Sequence, residues 1–187
     1  MRSITITTGA FLTLALAACG SSNEGAQDET TDTAATESAA PMMAVATLQT
    51  ADGQPAGMAT ATAAGDQVLI SLQVQNLPAG EHGVHVHTTG SCEAPTFESA
   101  GPHWNPGNQT HGLEAPEGQH AGDMPNLTVA EDGTGTLEYT LGGGATFEGL
   151  MDADGSAFMV HAGPDDQMTD PSGNSGDRIA CGVFQAS

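Results

Sequence analysis

The sequence predicts an all-β protein, a set of short antiparallel strands closed into a sandwich or barrel. Three observations predict it. Val, Leu and Thr alternate with apolar residues on one face over short runs. Turn signals rich in Gly, Pro, Asn and Asp cut those runs at short intervals, with Gly reaching 25 of 187 residues. No stretch carries the 3.6-residue periodicity of an amphipathic helix, and aromatics make up only 4%. In order, Met43–Gln49 reads as a strand and Ala51-Asp52-Gly53 as a turn. Gly57–Thr62 and Gln67–Val74 follow, the latter placing Val68, Ile70, Leu72 and Val74 on one face. Asn76-Leu77-Pro78-Ala79-Gly80 interrupts, and Gly83–Thr88 resumes as a strand. Leu127–Ala130 and Gly135–Leu141 flank the hairpin signal Glu131-Asp132-Gly133-Thr134, and Ala157–Val160 and Ile179–Gln185 complete about eight strands. Between them lies a long segment, Thr89–Pro125, rich in Gly, Pro and Asn. A structureless segment of that length is expected to do something, and this one carries three histidines.

The first residues read as an address. Met1 and Arg2 begin the chain, Ala10–Ala18 is apolar but too short to span a bilayer, and Leu16-Ala17-Ala18-Cys19 resembles the lipobox of bacterial lipoproteins. That resemblance implies a signal peptide over 1–18 and a lipidated Cys19 anchoring the protein to a membrane of the cell envelope. The alternative is an ordinary cleaved signal with an incidental Cys. The segment up to residue 42 is rich in Ser, Thr, Ala and acids and reads as a disordered tether. As a flexible coil, the 22 residues Gly20–Pro41 reach roughly 25 Å. The folded domain is expected over 43–187.

Charge excludes some partners. Asp plus Glu number 23 against 2 Lys plus Arg, and the two cations are Arg2 and Arg178. Such a surface repels nucleic acid and anionic membranes, so no nucleic-acid partner is expected. It also suits a saline environment, where screening shortens like-charge repulsion. Of the three cysteines, setting Cys19 aside leaves Cys92 and Cys181. In an exported protein two remaining cysteines most simply pair; the alternative is two free thiols. Such a bridge stabilises by roughly 4–5 kcal/mol in the chain-entropy picture.

Six of seven histidines form a pattern. His85 and His87 are two apart on a strand, so both project from one face and can reach one metal; His161 closes another strand. Three imidazoles suit copper, zinc, iron or nickel. The long loop supplies His103, His111, His120 and Asp123, three nitrogens and a carboxylate, the donor set of a closed structural zinc site. His82 is read as structural. Asp152-Ala153-Asp154-Gly155 begins like a calcium loop but lacks the later ligands. Asn126-Leu127-Thr128 fits a glycosylation sequon that the lipoprotein route leaves unused.

These residues carry a specific resemblance. Gly83-Val84-His85-Val86-His87 resembles the copper-ligand strand of the copper–zinc superoxide dismutases, and Gly101-Pro102-His103 the segment holding their bridging histidine. His111, His120 and Asp123 match the family's zinc ligands in order and spacing, and His161 its last copper ligand. The run Gly173–Gly182 resembles its second signature, with the active-site arginine at Arg178 and half of the disulfide at Cys181; Cys92 matches the other half. The resemblance spans about Met43–Ser187.

It implies an eight-stranded Greek-key β-barrel with long metal-binding and active-site loops. It implies copper on His85, His87, His103 and His161, and zinc on His103, His111, His120 and Asp123. It implies superoxide as substrate, and an Asp165 that links a copper ligand to a zinc ligand. His103 would bridge the metals and Arg178 would attract the anion. A homodimer or a monomer is expected. Two departures stand out: Val84 replaces an aromatic residue common in the strand motif, and Ala162–Asp177 has acids but no lysine. Added salt is therefore expected to lower the rate little, or to raise it. The rivals are a non-catalytic copper/zinc-binding envelope lipoprotein, which would be expected to lose Arg178 or some ligands, and a zinc hydrolase, which would need an open zinc position.

Overall fold

The computed structural model describes residues 42–187; the signal, Cys19 and tether readings lie outside them. Nine strands form: β1 Met43–Thr50, β2 Pro55–Ala64, β3 Gln67–Val74, β4 Gly80–His82, β5 Val84–His87, β6 Leu127–Val129, β7 Gly135–Thr140, β8 Ala157–His161 and β9 Arg178–Ala186. Seven pair in the order β5-β8-β9-β1-β2-β3-β7, and β4 pairs with β6. Every ladder is antiparallel. β4 and β5 are one strand broken at Gly83, where the chain changes partner from β6 to β8. Gly83 itself bonds to the far side, its N–H donating to Gly163 O (2.8 Å) and its carbonyl accepting from His161 N (2.9 Å). β6 runs through the turn 130–134 straight into β7. The sheet thus curls on itself, with crossovers from β3 to β4 and from β7 to β8 that skip spatial neighbours, in agreement with the Greek-key expectation.

The strands form where the period-2 pattern places them, because burying one face decides register. In β3, Val68, Ile70 and Leu72 are almost completely buried and face Ala59, Ala61 and Ala63 across the β2 ladder. Leu48, Leu127, Leu150, Phe158 and Val160 fill the same core. Each large apolar side chain buried in this way stabilises by roughly 1.5–3 kcal/mol. The small alanines of β1 and β2, paired Ala44↔Ala61 and Ala46↔Ala59, leave room for these larger residues. A second, smaller cluster gathers Phe97, Ala100, Ala157, Met159 and Cys181, with Cys92 packed against it.

Two features depart from the sequence reading. The three-residue β4 was not separable from the turn before it, because Gly80-Glu81-His82 has no alternation to read. The long segment is not structureless. It holds a short 3-10 turn, Glu98–Ala100, and it folds back along the free side of β5. Val86 N donates to Gly122 O (3.0 Å) and Trp104 N to Val86 O (2.8 Å), with bridges His85↔Asp123 and His87↔His103. Gly122 makes this approach possible, since a Cβ there would stand 2.2 Å from Val86 O. One helical turn, α1 Phe147–Leu150, lies in the β7–β8 connection, capped by the Thr146 side chain on Gly149 N.

Candidate metal centre

All four residues of β5 are buried, the valines in the core and the histidines beneath the returning loop. The seven predicted ligands gather into two groups whose donor atoms lie within 4.8 Å of one another: His85, His87, His103 and His161, and His103, His111, His120 and Asp123. His103 belongs to both. Its ring centroid lies 3.8 Å from that of His85 and 5.1 Å from that of His111.

The outer nitrogens are tied to acceptors, which fixes the tautomers. His87 Nδ1 donates to Gly101 O (2.8 Å), His161 Nδ1 to Gly176 O (3.2 Å), His85 Nε2 to Asp165 Oδ2 (2.5 Å) and His111 Nε2 to Asp165 Oδ1 (3.0 Å). Carbonyl and carboxylate oxygens only accept, so these nitrogens carry a proton, and in the neutral ring the opposite nitrogen keeps its lone pair. Those opposite atoms are His85 Nδ1, His87 Nε2, His161 Nε2 and His111 Nδ1; with His103 Nε2 and His120 Nδ1 they make six buried nitrogens without a hydrogen-bond partner. An unmade buried hydrogen bond costs about 1–3 kcal/mol, so six rival the net stability of a whole domain, about 5–15 kcal/mol. Lone pairs converging in this way call for cations.

The second group has the dimensions of a closed metal site. Asp123 Oδ1 lies 3.0, 3.2 and 3.3 Å from the Nδ1 atoms of His103, His111 and His120. Donors about 2.0–2.1 Å from a tetrahedral ion stand roughly 3.3 Å apart. The other oxygen, Oδ2, accepts from Gly112 N (2.8 Å) and His120 N (3.0 Å), which leaves Oδ1 to the group. Both groups therefore fit small metal ions, the first through four imidazoles and the second through three imidazoles and a carboxylate.

Electrostatics separates the two. Burial pushes His85 down to about 3 and His161 down to about 4, against the raising effect of Asp165 and of Gly176 O respectively; burial also lowers His87 and His103. These rings stay neutral, as metal binding needs. His111 goes the other way. Burial opposes its charge, but the carboxylates of Asp123 and Asp165 on either side outweigh it and push the ring up to about 9, so without an ion Nδ1 holds a proton that a bound metal would displace. Burial would raise Asp123 too, yet the adjoining His103, His111 and His120 rings and the bond from Gly112 N hold it well below the usual carboxylate range.

Asp165 contacts one histidine of each group, and three residues whose part in this the sequence reading did not identify hold it there. Asn126 clamps its backbone from both sides, Oδ1 accepting from Asp165 N (2.8 Å) and Nδ2 donating to Asp165 O (2.9 Å). Gln167 N donates to Asp165 Oδ1 (2.6 Å) while its side chain reaches Met124 O and Leu113 N. Gly173, at φ +59°, leaves space that a Cβ would take from the Asp165 carboxylate, 1.8 Å away. Sequence spacing offered no signal for these, since Asn126 reads only as part of a sequon.

Arg178 opens β9 and lies in a cleft with His87, Gly101, Pro102, His103 and His161. Its Nη1 donates to Phe97 O (2.6 Å) and Nη2 to Gly101 O (2.8 Å). Cys92 and Cys181 are joined as expected, Cα–Cα 5.8 Å, tying the 3-10 turn region to β9. His82 is structural, its Nδ1 2.7 Å from His161 O and its Nε2 2.8 Å from Pro78 O. Asp152 makes a local turn, accepting from Asp154 N and Gly155 N.

A family model described as copper/zinc superoxide dismutase matches residues 55–184. A relative, "Superoxide dismutase [Cu-Zn]" of Caulobacter vibrioides, is 42% identical over 148 residues, 76% of this chain and 85% of the relative. A solved structure of a SOD-like protein from Bacillus subtilis superposes with TM-score 0.68 at 38% identity, covering 75% of this chain and 97% of that one. The Cu/Zn superoxide dismutase from Brucella abortus gives TM-score 0.62 at 26% identity, covering 76% and 99%.

Proposed function

This chain belongs to the copper/zinc superoxide dismutase family, and from that premise we propose that it converts superoxide to dioxygen and hydrogen peroxide in the bacterial cell envelope. The reading assigns copper to His85, His87, His103 and His161, and zinc to His103, His111, His120 and Asp123. The observation that carries it is the set of six buried, partnerless imidazole nitrogens converging on two adjacent points. Bound copper supplies a one-electron redox couple and bound zinc a fixed dication.

The chain's own residues do the rest. His103 faces one group with Nε2 and the other with Nδ1, so its ring belongs to both ligand sets. With a metal held in each group, His103 would offer Nε2 to the first and Nδ1 to the second, and a proton held at Nε2 would be within reach of the product. The second proton comes from solvent through the cleft. Asp165 fixes His85 and His111 through one carboxylate, so the orientation of each ring is set by the same side chain. Arg178 has five N–H donors in a rigid fork. Its two bonds to Phe97 O and Gly101 O hold the plane at the cleft, leaving other donors to orient an anion. A storage or carrier role is less consistent with a full ligand set that retains this arginine.

The envelope reading rests on the N-terminal residues. A signal over 1–18, a lipidated Cys19 and a flexible tether would keep the domain near a membrane, and the Cys92–Cys181 bridge suits an oxidising compartment. Metal analysis of the purified full chain with a superoxide assay tests the enzyme. One copper, one zinc and rapid dismutation are expected; both metals with no dismutation would reject it. Labelled fatty-acid incorporation that disappears in Cys19→Ala tests the anchor, and an unlabelled parent protein would refute it.

A further inference from the structure

Each imidazole of the two groups turns one nitrogen toward its group and, His103 aside, one away. In four rings the nitrogen turned away meets a fixed acceptor: Gly101 O for His87, Gly176 O for His161, and Asp165 for both His85 and His111. His120 is the exception. Its Nδ1 faces Asp123 Oδ1 at 3.3 Å, while among the described residues its Nε2 meets no acceptor within hydrogen-bond distance. What faces Nε2 is a carboxylate oxygen, Asp170 Oδ1, at 4.0 Å. That oxygen is fixed from another direction, since His111 N donates to it at 2.7 Å. Asp170 thus holds the backbone of one ligand and stands over the ring of another. The segment that bears it is braced from behind: Asp166 Oδ1 accepts from Met168 N (3.0 Å) and Thr169 N (2.8 Å), and Gly173 N donates to Thr169 O (2.7 Å). This is also the open side of the group. His111 and Asp123 are completely buried, whereas His103 and His120 line a cleft with Trp104, Asn105, Asp152 and Pro171.

From this geometry we infer that Asp170 is a positioning residue for the second metal group, a latch on its exposed edge. The inference rests on the zinc assignment made above. A His120 that gives Nδ1 to an ion carries its proton on Nε2, the atom turned to Asp170. The charge of a bound dication makes that N–H a stronger donor, and a carboxylate is the acceptor that orients such a ring and raises its basicity toward the metal. The present separation exceeds a hydrogen bond by roughly 1 Å, a shift open to an exposed side chain. The two carboxylates of this loop then divide the outer contacts. Asp165 orients the His111 ring, and Asp170 orients the His120 ring while holding the His111 backbone. An ion that leaves through the cleft has to displace the His120 ring, so the latch acts on the rate of escape.

The test follows zinc release from the fully metallated chain to an excess of chromogenic chelator. Asp170→Ala should release zinc about 10–100-fold faster than the parent. Asp170→Asn keeps an acceptor for both contacts but loses the charge, and should fall between the two. Asp152→Asn removes an acid of the same cleft whose carboxylate bonds within its own turn, and should match the parent. A second readout is the imidazole N–H signals of the same protein with its copper reduced, and so diamagnetic. His120 Nε2–H should exchange slowly in the parent and rapidly in Asp170→Ala, with the His87 and His161 signals unmoved. Unchanged zinc release in Asp170→Ala overturns the inference. So does faster release with an unchanged His120 signal, which would leave Asp170 to the His111 backbone alone. Equal acceleration in Asp152→Asn also overturns it, assigning the effect to net charge. A parent that takes up no zinc overturns the zinc assignment and the latch with it, whereas a zinc-binding parent with unaltered variants removes the latch alone.

Discussion

The two halves of the metal centre are built differently. Three of the four histidines we assign to copper sit on barrel strands, His85 and His87 on β5 and His161 on β8, and two of them are oriented by backbone carbonyls. All four donors we assign to zinc come from the loop 103–123, and their orientation depends on carboxylates, Asp123 within the group and Asp165 from another loop. The barrel supplies the first half with rigidity that it owns already. The second half sits on a loop that Trp104, Ala121 and Met124 anchor in the core only near its ends, so the stretch between them, which carries His111, gains order from the ion it would bind. The lesson is that one half can be preorganised by the fold while the other couples metal affinity to loop order.

The largest test of this contrast is removal of a zinc-side donor. Asp123→Ala should lower zinc affinity by well over the roughly 10–100-fold that losing an outer partner costs, while copper still binds. Competition with a chromogenic chelator measures it; equal loss of both metals would break the contrast. Next is Asp165, where Asp165→Ala should weaken zinc by about 10–100-fold. Asn126→Ala should do less, about tenfold or below, with the Asp165 side chain retained but its backbone unclamped. Metal stripping should raise amide exchange in residues 103–126 and 165–177 far more than in β1–β3; uniform exchange would contradict a preorganised barrel.

The smallest effect is in pH. In metal-free protein His85 and His161 have folded values near 3 and 4, below the unfolded 6.5, so the unfolded chain binds more protons and stability falls as pH drops from about 6.5 toward 3. His111 is raised to about 9, so its contribution is present below about 6.5 and fades as pH rises toward 9. Denaturation midpoints of His161→Gln and His111→Gln across pH 4–9 should therefore respond at opposite ends of the range.

Much of this was legible in the sequence, for a physical reason in each case. Alternation in Gln67–Val74 revealed β3 to the residue, because one buried face fixes the pattern. His85 and His87 were readable as a pair because a strand must send both to one side. The ligands His111, His120 and Asp123 were visible as residue types in a loop with no other purpose. What stayed hidden is the scaffolding behind them. Gly101 and Gly176 act through backbone carbonyls, which no side chain advertises. Asn126 works through a contact thirty-nine residues away, and Gly173 through the space it leaves empty. The fold-back of the loop onto β5 depends on Gly122 meeting Val86, a match between distant segments that local periodicity does not encode.

That fold-back has a consequence for the behaviour of the protein in bulk. β5 ends the seven-stranded sheet, and its free side is covered only where residues 103–104 and 122–123 bond to it. The same residues flank or supply zinc-side donors. When the loop loosens, the N–H and C=O groups of Val86 lose these partners and the edge becomes a template for another chain. Loss of the ion would then do more than silence a catalyst: it would uncover an adhesive edge, making metal supply a determinant of solubility as well as of turnover.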